Sequence, residues 1–246
     1  MLMILFPIFL LNFNRGVLSF KYTLISLGIA LLGYLPLMFF FKAINRGKIG
    51  VITPISNSSI VVTVLFSVLF FGEKLSFMRM VSIAIISFGI ILISVDFKDI
   101  KKNHLSNKEN GIFFALISMF LWGVVSALYK IPVMVIGPIM TTFIVEAGIL
   151  LSSGIAMIRE KRSFFLKDGK TAFQTALVAL FGAIGVLSYN FGLGVSNINF
   201  AASLTSCSPL VATLYGKYFC QEEIKKNQWF AIFILMGGII LLSSFA

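Results

Sequence analysis

The chain has 246 residues, of which 59% are hydrophobic and only 12% charged. Soluble domains carry about 25% charged residues, so this composition excludes one and marks an integral membrane protein. The formal charge of +11 does not mean a nucleic-acid partner: the Lys and Arg residues stand in short loops, where lipid headgroups and membrane orientation account for them.

A span needs about 20 mostly apolar residues to cross ~30 Å of hydrocarbon. Residues 1–13 are apolar but too short, and they lack the basic region and small-residue cleavage site of a signal peptide. Residues 22–41 qualify as a span, as do 49–72, where Pro54 can kink the helix, and 77–95, where Arg79 can snorkel. A charged connector, 96–109, separates two halves. Residues 110–129 and 137–158 follow as spans, the second carrying Glu146, and then a basic connector, 159–170. The uncharged run 171–216 is too long for one helix and divides at 192–197; the last span is 227–245. The reading is all-α and polytopic, with eight full transmembrane helices and a partial one at the N-terminus. Cys207 and Cys220 share one predicted helix about 20 Å apart at 1.5 Å per residue, too far for a disulfide between them.

The halves repeat. Adding 149 to each number from residue 49 to residue 94 places Ser59 on Ser208, Val62 on Val211 and Leu65 on Leu214, without a gap. Phe70 falls on Phe219, Glu73 on Glu222 and Gly89 on Gly238; upstream, Lys21 falls on Lys170 and Gly33 on Gly182. A repeat of this kind sets the architecture. The first repeat, 1–95, lacks the counterpart of 110–149, so the chain reads as truncated relative to a ten-helix protein with a second repeat at 110–246. A genuine eight-span protein with an interfacial start is the alternative. Five spans per repeat is an odd number, so the two halves cross the membrane in opposite senses. Inverted repeats are a signature of secondary transporters.

The residues Phe71-Gly72-Glu73 and Ser87-Phe88-Gly89 in the first half resemble the EamA-type drug/metabolite transporter superfamily. So do Ala201, Ser208-Pro209-Leu210, Glu222 and Gly237-Gly238 in the second, and Leu121-Trp122-Gly123 at its opening. The chain departs from the pattern at Ile60, which stands opposite Pro209, and at Gln221, which replaces the Gly before Glu222. The resemblance implies a ten-helix exporter or importer of small metabolites, amino acids or drugs in the cell membrane.

Glu146 is the sharpest candidate for chemistry. It is the one carboxylate in the middle of a predicted span, and an ionisable group there is costly and normally faces protein or water. It can carry a proton for coupling or hold a cationic group of the substrate. The structural alternative is a protonated Glu hydrogen-bonded to Ser152, Thr142 or a neighbouring helix. Two polar patches, 53–59 and 203–209, occupy corresponding places in the halves, where a transporter's site is expected. Asn57, Ser59, Ser206 and Ser208 are candidate hydrogen-bonding groups, and Pro54 and Pro209 can free backbone carbonyls. Small polar residues also line helix contacts for packing reasons alone. Tyr189 and Asn190 are further candidates. Trp122 and the pair Tyr129-Lys130 read first as interface anchors, with Trp122 kept as a substrate contact. Glu73 and Glu222 read as capping groups or loop ion pairs, Lys217 as snorkelling and His104 as solvated.

Enzyme chemistry finds no support. Asp96, Asp99 and Asp168 all lie in connectors, no His stands in a span, and neither a zinc cluster nor a phosphate loop is present in the sequence. No cofactor is expected. Loops 42–48, 96–109, 159–170 and 220–227 hold fourteen Lys and Arg residues against five in the alternate set. The positive-inside rule therefore places Ala246 outside, whereas the family usually keeps its C-terminus inside.

The expectation from the repeats and the resemblance is a secondary transporter, an exporter of small metabolites or amino acids by alternating access, with Glu146 as the candidate for proton coupling. The alternative is a non-transporting fragment acting as a membrane scaffold or partner subunit. The expected partners are the lipid bilayer, a small-molecule substrate and a second copy of the chain, without nucleic acid.

Overall fold

The computed structural model describes residues 1–11, 19–46, 52, 55–94, 111–159, 161, 168–205 and 226–244. Among them the chain forms α1 (Leu2–Leu11), α2 (Phe20–Ile44), α3 (Ser59–Phe71), α4 (Phe77–Ser94) and α5 (Gly111–Leu128). Next come α6 (Lys130–Arg159), α7 (Gly169–Val195), α8 (Ile198–Thr205) and α9 (Lys226–Ser244). No strand occurs among the described residues. The protein is an all-α, multi-pass membrane protein.

Helices α2, α5, α6 and α7 are each long and apolar enough to span a bilayer, and α3, α4 and α9 contain shorter apolar stretches. Their exposure pattern is that of a protein solvated by lipid. Leu31, Leu150, Val178 and Phe181 are exposed, while Ser26, Thr141, Thr142 and Asn190 are buried. Lipid tails are as apolar as a leucine core, so packing and hydrogen bonds, not hydrophobic burial, hold such helices together.

Local chemistry sets the helix ends. Gly72 closes α3 at φ 62°, ψ 23°, with its N–H on the Ser67 carbonyl; a left-handed residue at this place is ordinarily glycine. Asp168 caps α7 by accepting from the Thr171 N–H at 3.0 Å. The uncharged run that the sequence divides at 192–197 breaks there: α7 ends at Val195, Ser196 is extended, and α8 starts at Ile198. Within α6, Gly137 leaves helical geometry (φ 80°, ψ 164°) ahead of Pro138, so its two parts follow separate axes.

The described residues form two compact units. The first comprises Met1–Tyr34 and Leu128–Ser196, the second Leu35–Ala127 and Asn197–Ala246. In the first, α1 stacks Phe9 on Phe143 of α6 with ring centroids 4.0 Å apart. Gly148 of α6 lets Ala30 of α2 approach so closely that a Cβ there would collide with it. In the second, Ile60, Val64, Ile83, Ile86, Ala231, Ile232, Leu235 and Leu242 form an apolar cluster of α3, α4 and α9. A smaller cluster joins Ala43 and Ile52 to Ile112 and Ala115.

Candidate functional site

Two polar constellations form, one in each unit. In the first unit Glu146 lies midway along α6, between Lys130 at its start and Arg159 at its end. Thr142 is one turn before it on the same face. Thr142 Oγ1 donates to the Pro138 carbonyl at 2.7 Å and accepts from Asn190 Nδ2 of α7 at 2.6 Å. Asn190 is fully buried, and its Oδ1 has no hydrogen-bond partner among the described residues; the same is true of Thr141 Oγ1.

Tyr189 meets Tyr129 edge to face, with centroids 6.5 Å apart and planes at 82°. Glu146 stands within electrostatic reach of the Tyr129 phenol. Ser152 and Thr142 do not bind the carboxylate. Each uses its hydroxyl proton on its own helix, Ser152 on the Gly148 carbonyl at 2.8 Å and Thr142 on Pro138.

Tyr129 and Lys130 differ from the anchor reading. Tyr129 is only 8% exposed, so its ring packs inside the protein instead of lying at the headgroups. Lys130 Nζ donates to the Leu193 and Ser196 carbonyls. The last carbonyls of a helix lack intrahelical partners, and the ammonium satisfies two of them at the end of α7.

In the second unit Asn57 and Ser59 sit at the start of α3, both partly exposed. The Ser59 carbonyl accepts from Thr63 Oγ1 at 3.1 Å, and the same hydroxyl lies 3.1 Å from the Gly123 carbonyl of α5. A Cβ on Gly123 would stand 2.8 Å from that Ser59 carbonyl oxygen, so α5 crosses α3 at close range. Its neighbour Trp122 packs on Phe40, centroids 5.2 Å apart. Pro54, Ser206, Ser208 and Pro209 lie outside the described residues, as do Glu222, Lys217 and His104.

Glu73 caps a helix, one of its two expected roles, but not the helix next to it. Its carboxylate accepts from the backbone N–H of Ile198 at 2.7 Å and of Asn199 at 3.2 Å, which are the first N–H groups of α8. Asn199 Oδ1 in turn accepts from Ser67 Oγ of α3. An acidic group at a helix N-terminus meets its unsatisfied donors and the positive end of its dipole. Of the two readings of Glu73, capping group or loop ion pair, the first holds, with a helix remote in sequence as its partner. Thr142, read from the sequence only as a partner for Glu146, is instead bonded to Pro138 and Asn190.

No group of three His, Cys, Asp or Glu residues placed to hold a metal occurs among the described residues. The family described as the EamA-like transporter family matches residues 1–95 and 109–244. An "Uncharacterized transporter" of Archaeoglobus fulgidus is 24% identical over 237 residues, 96% of this chain and 81% of that protein. Protein RarD of Salmonella typhi is 25% identical over 136 residues, 54% of this chain and 46% of RarD. One crystal structure superimposes with a TM-score of 0.80 at 15% identity, covering 100% of this chain and 84% of that one, which is a likeness of fold. With the family match over nearly its whole length, the chain belongs to the EamA-like transporter family and is a membrane transporter of the drug/metabolite type.

Proposed function

We propose that the protein is a secondary transporter that exports small metabolites or amino acids across the plasma membrane by alternating access. In this reading residues 1–95 and 110–246 are inverted repeats joined by the connector 96–109. Protons drive the cycle through Glu146. The observation that carries it is the position of that carboxylate, midway along a helix long enough to span the membrane and partly buried beside Tyr129. A membrane-embedded carboxylate is costly when charged and unpaired, so it changes sides in a neutralised form. A proton neutralises it on the inward stroke. On the outward stroke the substrate takes its place, and because both use one carboxylate they exclude each other, which couples the fluxes.

The Tyr129 phenol, with Tyr189 against its ring, is the ionisable neighbour of Glu146. Thr142, one turn before Glu146, accepts from Asn190 Nδ2 at 2.6 Å.

Purified protein in proteoliposomes, assayed with a radiolabelled amino-acid panel under an imposed pH gradient, tests the proposal. Wild type moves substrate against its gradient when protons run inward, and Glu146→Gln abolishes the response to the gradient. A Glu146→Gln protein with wild-type rate and pH dependence would remove the carboxylate from the mechanism.

A further inference from the structure

The hydrogen-bond accounting around Glu146 names the chemical class of what binds there; this rests on the reading of Glu146 as the transport site. Thr142 has one proton, and the Pro138 carbonyl takes it. Its oxygen can therefore only accept from Asn190, which fixes the amide with its nitrogen toward Thr142 and its oxygen turned away. That oxygen is the buried Oδ1 without a partner. Buried polar groups are almost always paired, so an unpaired acceptor on a fully buried side chain calls for a donor brought from outside.

On three surrounding residues donors are already in use, while the Thr141, Tyr129 and Tyr189 hydroxyls can donate as well as accept. Lys130 donates to the Leu193 and Ser196 carbonyls, Thr142 to Pro138, and Asn190 Nδ2 to Thr142. The acceptors and rings gathered here are Asn190 Oδ1, the Glu146 carboxylate, and the Tyr129–Tyr189 pair. An ammonium group matches all three, since it has only donors, is opposite in charge to the carboxylate, and is attracted to aromatic faces. A carboxylate or phosphate has no proton for the Asn190 oxygen and is repelled by the Glu146 carboxylate. We infer that the cluster of Glu146, Asn190, Tyr129 and Tyr189 receives the ammonium group of an amine-bearing substrate, and that the substrate's other end contributes little to recognition there.

The test uses purified full-length protein in detergent near neutral pH and follows thermal unfolding. The probes are butylamine, isoamylamine and phenethylamine, each paired with the carboxylic acid of the same carbon skeleton, so that apolar partitioning cancels within a pair. The amines raise the unfolding temperature and the acids do not. Asn190→Leu, which removes the acceptor, reduces the amine-induced shift by at least half. Asn190→Asp, which keeps an acceptor and adds charge, strengthens amine binding several-fold and keeps the proposal testable should the Leu variant not fold. Equal shifts from acid and amine, shifts from neither, or an amine shift unaltered in both variants overturn it. Failure of the underlying proton-coupling reading is seen separately, as unchanged pH dependence of transport in Glu146→Gln.

Discussion

Gly89 and Gly238 stand 149 positions apart in the chain, and each faces the residue three positions before the other. A Cβ on Gly89 would lie 2.7 Å from Leu235 Cγ, and one on Gly238 would lie 2.8 Å from Ile86 Cγ1. The contact is reciprocal, and it runs antiparallel, since the earlier residue of one helix meets the later residue of the other. Helices α4 and α9 therefore pack in opposite directions.

The two glycines at the end of this contact separate packing from helix propensity. Gly237 has nothing within 4 Å of a would-be Cβ, whereas Gly238 meets Ile86 at both its side chain and its backbone nitrogen, the latter at 3.2 Å. Backbone cannot swing aside as a rotamer can. Gly238→Ala therefore overpacks α4 against α9 and destabilises by about 1–3 kcal/mol. Gly237→Ala is neutral or stabilising by up to about 1 kcal/mol, the usual gain of Ala over Gly in a helix. Thermal unfolding of the two variants in one detergent checks the order; equal losses would refute the close-contact argument.

Glu73 ties the end of α3 to the start of α8 through the N–H groups of Ile198 and Asn199. Hydrogen bonds to charged groups are worth about 1.5–3 kcal/mol, and removing the acceptor strands two donors at the helix end. Glu73→Ala is thus expected to destabilise by about 2 kcal/mol, with Glu73→Gln losing less because its carbonyl oxygen can still accept. Amide hydrogen exchange at Ile198 and Asn199 reports the effect locally. Unchanged protection in Glu73→Ala would sink the cap.

Much of this architecture is legible in the sequence, because a membrane protein writes its helices as uncharged apolar runs. The break after Val195 is legible too, since a run free of charges but twice a span's length must turn somewhere, and the small residues at 192–197 mark the place. A capping role for Glu73 is legible as one of two readings, but its partners are not, since a carboxylate beside a lysine looks local and they lie 125 and 126 residues away. Tyr129 fails for another reason. Aromatic residues at helix ends serve equally as headgroup anchors or as buried packing, and only the neighbouring Tyr189 and the turn into α6 decide between them. The Asn190–Thr142 bond is a pairing between helices, which helix periodicity does not encode.

Asp168 gives a prediction in pH. Hydrogen bonds from Thr171, side chain and backbone, hold its carboxyl below the usual carboxylate range. A group whose folded pKa is depressed stabilises above its unfolded value, about 3.9 for Asp. That contribution is lost as pH falls through the folded value. Asp168 is fully exposed, so the effect is small and confined to acid. Asp168→Asn keeps an acceptor at the cap and removes the titration. Its unfolding temperature should approach that of wild type as pH is lowered from 6 to 3, and a gap that holds constant over that range would exclude the cap's charge as the cause.

Lys130 fixes the far end of the same helix. Its ammonium bridges the Leu193 and Ser196 carbonyls, while Ser196 N–H and Oγ both turn back to the Gly192 carbonyl at 2.9 and 2.6 Å. The first part of α6, ahead of the break at Gly137, is thereby joined to the end of α7. Replacing the ammonium by an apolar chain of similar length leaves both carbonyls without this donor, so Lys130→Met costs about 2 kcal/mol, within the ~1.5–3 kcal/mol of charged hydrogen bonds. Lys130→Arg keeps the charge and donors and recovers part of it. Hydrogen exchange at Leu193 to Ser196 should rise in Lys130→Met and fall back in Lys130→Arg. If exchange there stays at the wild-type rate in Lys130→Met, the bridge does not hold α7, and the end of the helix must be kept in place by Ser196 and its neighbours alone.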